Sequence, residues 1–523
     1  MKNIIKYNYL GMFTLILLTL SSCVKDDELI QVDPNLNTEG SFWKTDEDFL
    51  KGTNAIYGSM HIDGTYMRST PLMLDLKGDE ARSNSPWVAM ANVGRFNSSL
   101  ADDAIYGWAY RDFYQGIFRA NQVFQYAEGV EFEDSELKNR VLGQAHFLRG
   151  LYLFHLVNFF KNVPVPLDNS TLIHEQKTEA EGWVQIIDDM KTAADLLPLN
   201  YNNVSGLDQG DVGRATKGAA LAYLGKAYLF TKDFPNARDT FKKVIDLNVY
   251  SLVANYRDNF TVDNENNSES IFEIQFSRDA GGVDLSWGSN PTPGWGQTSA
   301  RAITYGPRAF GWTDVQPTFA LYNDFLIEKT VTNEVDPRLD ATMFYNKPGG
   351  MMLYGQDFAT VYGANANDLN DLFCRKYQNS DGTQPDEFDW RSGINERIMR
   401  YADVLLMYAE ALNETGATSQ AYTYIQEVRD RVNLPDLAVT KPNMSKEQMR
   451  EQIAHERMLE FALEGHRFDD IRRWGWLQDQ TKLEWLKSRD AEFNTYASGR
   501  EYFPIPQSEM DNNPLVNDQN DGY

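Results

Sequence analysis

The sequence predicts a mainly α protein: a tetratricopeptide-type helical repeat scaffold with long aromatic-rich loops and a few short strands. Three observations carry that expectation. Gly225, Tyr228, Ala237, Phe241 and Val244 recur at the intervals of a two-helix repeat. Ala409, Leu412, Ala421, Ile425 and Val428 repeat that spacing, with Thr415 and Gly416 at the turn. The stretches between helical runs are broken by Gly and Pro and hold tryptophan and tyrosine. In the first repeat, small Gly225 and Ala237 let two helices approach, and the three larger side chains fill the groove. Pro235 is placed to open the second helix.

The remaining elements follow in order. Lys2 and Lys6 precede an apolar run over 9–20, shorter than the about 20 residues of a membrane span, so residues 1–22 read as a signal peptide. The run ends in Leu20-Ser21-Ser22-Cys23, which resembles a bacterial lipobox. Cys23 would then be acylated, and several acyl chains at about 0.8 kcal/mol per buried CH₂ make a lasting anchor. The acidic stretch Asp26-Asp27-Glu28 resembles a surface-export signal of lipoproteins. Residues 36–60 read as a first helix after an extended arm. Residues 67–100 read as a long loop or short strands around Asp79, Arg82 and Trp87. Helices follow over 108–127, 136–160 and 179–197, the last two stopped by Pro164 and Pro198.

After the repeat at 215–247 the texture changes. Residues 271–276 alternate like a half-buried strand. Residues 278–316 are rich in Gly and Pro and hold Trp287, Trp295, Tyr305 and Trp312. A helix is expected over 318–328, another element from Asp336-Pro337, then loops and short strands over 349–391. Helices return at Ile398 and run almost to Trp485, with a strong one over 446–465 for which Gly465 is the expected C-cap. Residues 502–506 read as extended. The division expected is an N-terminal helical region over 23–270 and a C-terminal region over 271–523 with variable ligand loops.

Composition narrows the partners. Asp and Glu number 75 against 49 Lys and Arg, a formal charge of −26, which argues against nucleic acid and anionic lipid. Two cysteines, one of them Cys23, leave no disulfide framework, and Cys374 reads as a buried apolar residue. His455-Glu456 begins like a zinc-protease helix, but the second histidine position is Leu459. Residues 263–267 lack the glycine and terminal glutamate of a calcium loop. No phosphate loop or nucleophile elbow occurs, and no metal or cofactor is expected. The positive signal is aromatic. An indole or phenol face covers the C–H side of a sugar ring, while neighbouring polar groups meet its hydroxyls. On that ground Asp79, Arg82, Trp87, Trp287, Trp295, Tyr305 and Trp312 are the candidate ligand-binding residues.

The C-terminal half carries a resemblance. Ile398-Met399-Arg400-Tyr401-Ala402-Asp403, running on through Tyr408-Ala409-Glu410, resembles the signature of the SusD/RagB family. So do Glu456-Arg457-Met458-Leu459-Glu460 with Gly465-His466-Arg467, then Asp470-Ile471-Arg472-Arg473-Trp474, and the ending Pro504-Ile505-Pro506. Asp521 departs from it, standing where the family usually has Pro before the final Gly-Tyr. The resemblance implies a non-catalytic outer-membrane lipoprotein, lipid-anchored and facing the exterior. It would capture glycan as the lid of a SusC-like TonB-dependent transporter. It implies structural roles for Glu410, Glu464 and Arg467. Two other readings stay open: the same lid binding peptides or another nutrient, and an α-helical glycoside hydrolase.

Overall fold

The computed structural model describes residues 39–278, 297–382 and 390–523. The expected signal peptide, Cys23, Trp287 and Trp295 lie outside the described residues. The principal helices are α1 Asp46–Gly58, α2 Ser69–Asp75, α3 Val88–Gly94, α4 Tyr106–Ala127, α5 Ser135–Phe160, α6 Glu179–Leu196 and α7 Lys217–Phe230. They continue as α8 Phe234–Asp246, α9 Phe319–Ile327, α10 Tyr401–Glu414, α11 Thr418–Asp430, α12 Lys446–Glu460, α13 Arg467–Arg473 and α14 Gln480–Arg489. Each long helix packs on the next from α4 to α8, and α8 packs on α10, which holds α11 and α12. That continuous stack is how a repeat array buries a core that no single pair could.

The two repeats are α7–α8 and α10–α11. A Cβ on Gly225 would lie 2.6 Å from the Phe241 ring, so only glycine permits this crossing. Ala237, Phe241 and Val244 are buried in the first pair, and Ala409, Leu412, Ala421, Ile425 and Val428 in the second. Asp233 caps α8, its side chain accepting from the Asn236 N–H, with Pro235 in the first turn. Gly416 takes the left-handed conformation at the other turn, φ 86°.

Four strands tie the loops to the helical stack: β1 Ala81–Ser83, β2 Ser270–Ile274, β3 Val315–Pro317 and β4 Glu396–Arg400. β1 pairs antiparallel with β3, and β2 with β4. Several expectations are corrected by the structure. Residues 67–100 hold a short strand, β1, as one expected alternative has it, but also two helices, α2 and α3. The strand at 270–274 is buried rather than half-buried, because Glu273 enters the core and pairs with Arg397 at 3.2 Å. Helix α10 starts at Tyr401, not Ile398, since the preceding residues pair as β4. Helix α12 ends at Glu460, and the Gly465 N–H donates instead to Asp75 Oδ1 at 2.8 Å.

Buried charge ties these elements together. Glu460 is sealed from solvent and accepts from Arg338 (3.1 Å), Arg400 (3.0 Å) and Arg431. Arg338 also holds Glu456 at 2.7 Å and Asp336 at 2.7 Å; Arg400 reaches Glu464 at 2.8 Å and Glu269. Burial pushes the Glu460 carboxyl up, but the Arg431, Arg400 and Arg338 guanidiniums outweigh it and hold the group at about 2. Cys374 is buried, and burial pushes its thiol up. Among the described residues no helix is long and apolar enough to cross a membrane.

Glu460→Gln leaves three buried guanidiniums short of one charge. Denaturant unfolding at pH 7 is expected to show a loss of about 3–5 kcal/mol. The stability Glu460 contributes is present above its ordinary value of 4.5 and lost as pH falls towards 2. The variant should therefore lose less stability than the wild type across that window.

Candidate functional site

The β1–β3 ladder builds the site. Ser83 faces Val315, and beyond it the Asn84 N–H donates to the Asp314 carbonyl at 2.8 Å. The chain leaving β1 therefore runs beside the chain arriving at β3. Four residues past β1 stands Trp87, whose N–H donates to Ser85 Oγ at 3.2 Å. Three residues before β3 stands Trp312, whose N–H donates to the Ile303 carbonyl at 2.8 Å. A third indole, Trp390, is placed by Thr298 Oγ1, which donates to its carbonyl at 2.8 Å. A fourth, Trp108, lies in the first turn of α4.

Arg68 stands at the centre of these rings. Its guanidinium carbon lies 5.2, 5.3 and 5.4 Å from the ring centroids of Trp87, Trp108 and Trp390. That is within cation–π range of all three. Asp63 fixes the guanidinium through two bonds, 2.7 Å from Nε and 2.6 Å from Nη2. Burial pulls the Arg68 pKa down, and Asp63 opposes it. Trp312 meets Trp390 edge-on at 4.3 Å and 76°, and Trp87 tilts against Trp108 at 5.8 Å. Gly64 lets this segment reach α4. A Cβ there would sit 2.2 Å from the Trp108 carbonyl oxygen, and its N–H donates to Asp112 Oδ2 at 2.9 Å. Two non-glycine residues take the left-handed region here, Thr313 at φ 57° and Trp390 at φ 64°. Threonine is β-branched and rarely adopts it, so strain gathers beside the exposed ring.

Trp312 is 46% exposed, whereas Trp87, Trp108 and Trp390 are half-buried. The result is an aromatic shelf with one indole standing out and a neutralised cation beneath. Asp314 lies beside it, nearly buried; burial pushes its carboxyl up against a bond to Ser85 and the Arg68 charge. Such a surface offers flat apolar area with polar groups at its rim, and the Arg68 charge beneath it is already met by Asp63. Among the described residues no group of three or more His, Cys, Asp or Glu could hold a metal ion.

The ladder brings Trp87 and Trp312 into one cluster, and exposed Arg82 lies on β1, donating to Gln316 Oε1 at 3.1 Å. Asp79 and Tyr305 are corrected: neither reaches the surface. Asp79 accepts from Arg467 Nε at 2.5 Å and from Arg489, and despite its burial these guanidiniums hold its carboxyl well below the usual range. It is an anchor between β1 and α13. Tyr305 donates from its hydroxyl to Asp75 Oδ2 at 2.8 Å under the Arg301 guanidinium, and burial pushes its phenol up. Sequence reasoning passes over Arg68, Trp108 and Trp390. Trp390 carries a usable signal, an indole in an irregular stretch like Trp87, but Trp108 is hidden by its helical surroundings.

Comparison with known proteins agrees with this architecture. The sequence pattern of the SusD family matches residues 268–523, and a second pattern, described as starch-binding associating with outer membrane, matches residues 49–229. The SusD-like protein P25 of Formosa agariphila is 24% identical over 565 residues, spanning 100% of this chain and 99% of that protein. A SusD superfamily protein of Bacteroides vulgatus superposes with a TM-score of 0.77 at 30% identity, over 92% of this chain and 100% of that one. A laminarin binding SusD-like protein superposes with a TM-score of 0.72 at 27% identity, over 92% and 100% of the two chains.

Asp112 gives the floor of the shelf a pH dependence. Burial pushes its carboxyl up to about 6, against Arg111 and the Gly64 N–H, from an ordinary value of 3.8. The folded value is the higher one, so the stability it contributes is full below pH 4 and lost as pH rises through about 6. Asp112→Asn should abolish that part of the fall. Unfolding curves at pH 4 and pH 7 are expected to differ less in the variant than in the wild type, by about 2–3 kcal/mol.

Proposed function

The chain belongs to the SusD family, and from that premise we propose that it captures a glycan at the outer membrane on the Trp312 shelf. In this reading the lipid on Cys23 holds it to the membrane, and its partner is a SusC-like TonB-dependent transporter that receives the glycan. The observation that carries the reading is an exposed Trp312 indole, edge-on to Trp390 and backed by an arginine already neutralised by Asp63. Two likenesses support it, the starch-binding pattern over residues 49–229 and the laminarin binding SusD-like protein. The cluster favours binding over hydrolysis. Asp63 is locked onto Arg68 and Asp112 onto the Gly64 N–H and Arg111, whereas a glycosidase needs two carboxyls free to flank one bond. Trp87, Trp312 and Arg82 are the assigned contacts, with Trp108 and Trp390 added.

Isothermal titration against maltoheptaose and laminarihexaose tests this. Trp312→Ala is expected to weaken binding about tenfold or more, equivalent to ~1.4 kcal/mol. Silence of the wild type across neutral glycans, with binding of peptides instead, would overturn it. Cys23→Ser is expected to move the protein from the membrane fraction to the soluble one.

A further inference from the structure

We propose that the cleft between α9, α12 and α14 is a second carbohydrate site, taking one or two rings of a neutral glycan. The proposal rests on the glycan reading of the Trp312 shelf and extends it to a separate place in the fold. The cleft has a volume of ≈ 300 Å³, at the lower end of the roughly 300–1,000 Å³ of ligand pockets. Its walls are helical. Glu451, Ala454, His455 and Met458 line it as one stripe of α12; Asp324 comes from α9, and Trp485 from α14.

The cleft repeats the chemistry of the first site with different residues. Among the described tryptophans, Trp312 at 46% and Trp485 at 40% are the two most exposed. Trp485 meets a buried indole edge-on, Trp476, at 5.6 Å and 89°, as Trp312 meets Trp390. A buried arginine lies over that pair, Arg467 at 5.1 Å from Trp476, and it is neutralised by Asp79 as Arg68 is by Asp63. Arg489 stacks on Trp485 at 4.5 Å, which holds the exposed ring in one orientation. An indole held rigid at the mouth of a cleft loses little freedom when a sugar ring covers it.

Charge decides the class of ligand. Every lysine and arginine placed at this cleft is already paired, Arg467 with Asp79, Arg489 with Asp79 and Asp324, and Lys482 with Glu451, while the His455 ring lies in hydrogen-bond distance of Glu328. A sulfated or uronic glycan would have to break one of these pairs, at the cost of stranding a carboxylate. A neutral ring has only to exchange hydrogen bonds with Asp324, Glu451, Thr481 and Lys482 at the rim. The site therefore suits an uncharged polysaccharide that also occupies the Trp312 shelf. Two weak sites on one rigid body raise avidity for a long chain without any new contact.

The test is calorimetric titration of the full-length protein with maltoheptaose and laminarihexaose. Trp312→Ala should retain one weak equivalent, and adding Trp485→Ala should remove it. Thr481→Arg, at an exposed rim position, should block the cleft without removing an indole and should reproduce that loss. If Trp485→Ala and Thr481→Arg both bind with wild-type stoichiometry and affinity, the second site is wrong and the first stands. If Trp312→Ala is unchanged while Trp485→Ala abolishes binding, the cleft stands and the shelf assignment falls. If neither sugar binds the wild type, the second site falls, and binding of peptides in their place would take the glycan reading of the shelf with it. The weak equivalent should be unaffected by 0.5 M NaCl; marked weakening by salt would overturn the neutral-ligand assignment.

Discussion

A single carboxylate, Glu460, holds the C-terminal half together. Three guanidiniums converge on it from three separate elements, Arg338 after β3, Arg400 at the end of β4 and Arg431 after α11. Such a cluster costs desolvation energy and is stabilising only when every member is satisfied. Here each arginine has further carboxylates, Asp336 and Glu456, Glu464, and Glu269 among them. The lattice joins residues 269, 336–338, 400, 431 and 456–464, so it ties distant segments of the chain to one another. Within each helical repeat, by contrast, the two helices are held by apolar contact, and in the first pair by the close approach at Gly225.

A second ionic anchor carries that linkage to the surface. Arg467 opens α13 and grips Asp79, two residues before β1. Thr318, next to β3, donates to the carbonyls of Asp79 and Glu80. The ladder is thereby fixed at its base by buried charge and backbone bonds. Its far end is where Trp87 and Trp312 emerge. Arg68 closes the arrangement from a third segment, and its partner Asp63 sits on the same turn, so the cation stays at home when the shelf is empty.

The parts of this fold legible in the sequence are those written in local spacing. Small residues followed by bulky apolar ones at 225–244 and 409–428 mark helix pairs because each contact falls within one repeat. Long-range charge is not legible. Glu273 and Arg397 look like the polar face of a strand, yet they pair in the interior across 124 positions, and alternation then misleads. The same blindness puts Asp79 on the ligand surface. Its neighbours in sequence, Arg82 and Trp87, suggest a polar rim, whereas the partners that seal it stand at 467 and 489. The aromatic character of the loops is readable from composition. Which rings face outward is not, because that depends on a register between strands more than 230 residues apart.

The β1–β3 ladder has one consequence for how relatives of this molecule can diverge. Its rungs are main-chain bonds, indifferent to side-chain identity, and the rings that face outward lie just past them. On the proposed glycan reading, replacements at 84–88 and 310–313 would therefore redraw the surface that meets the sugar while the inherited scaffold is left alone. Diet can change without architecture having to follow.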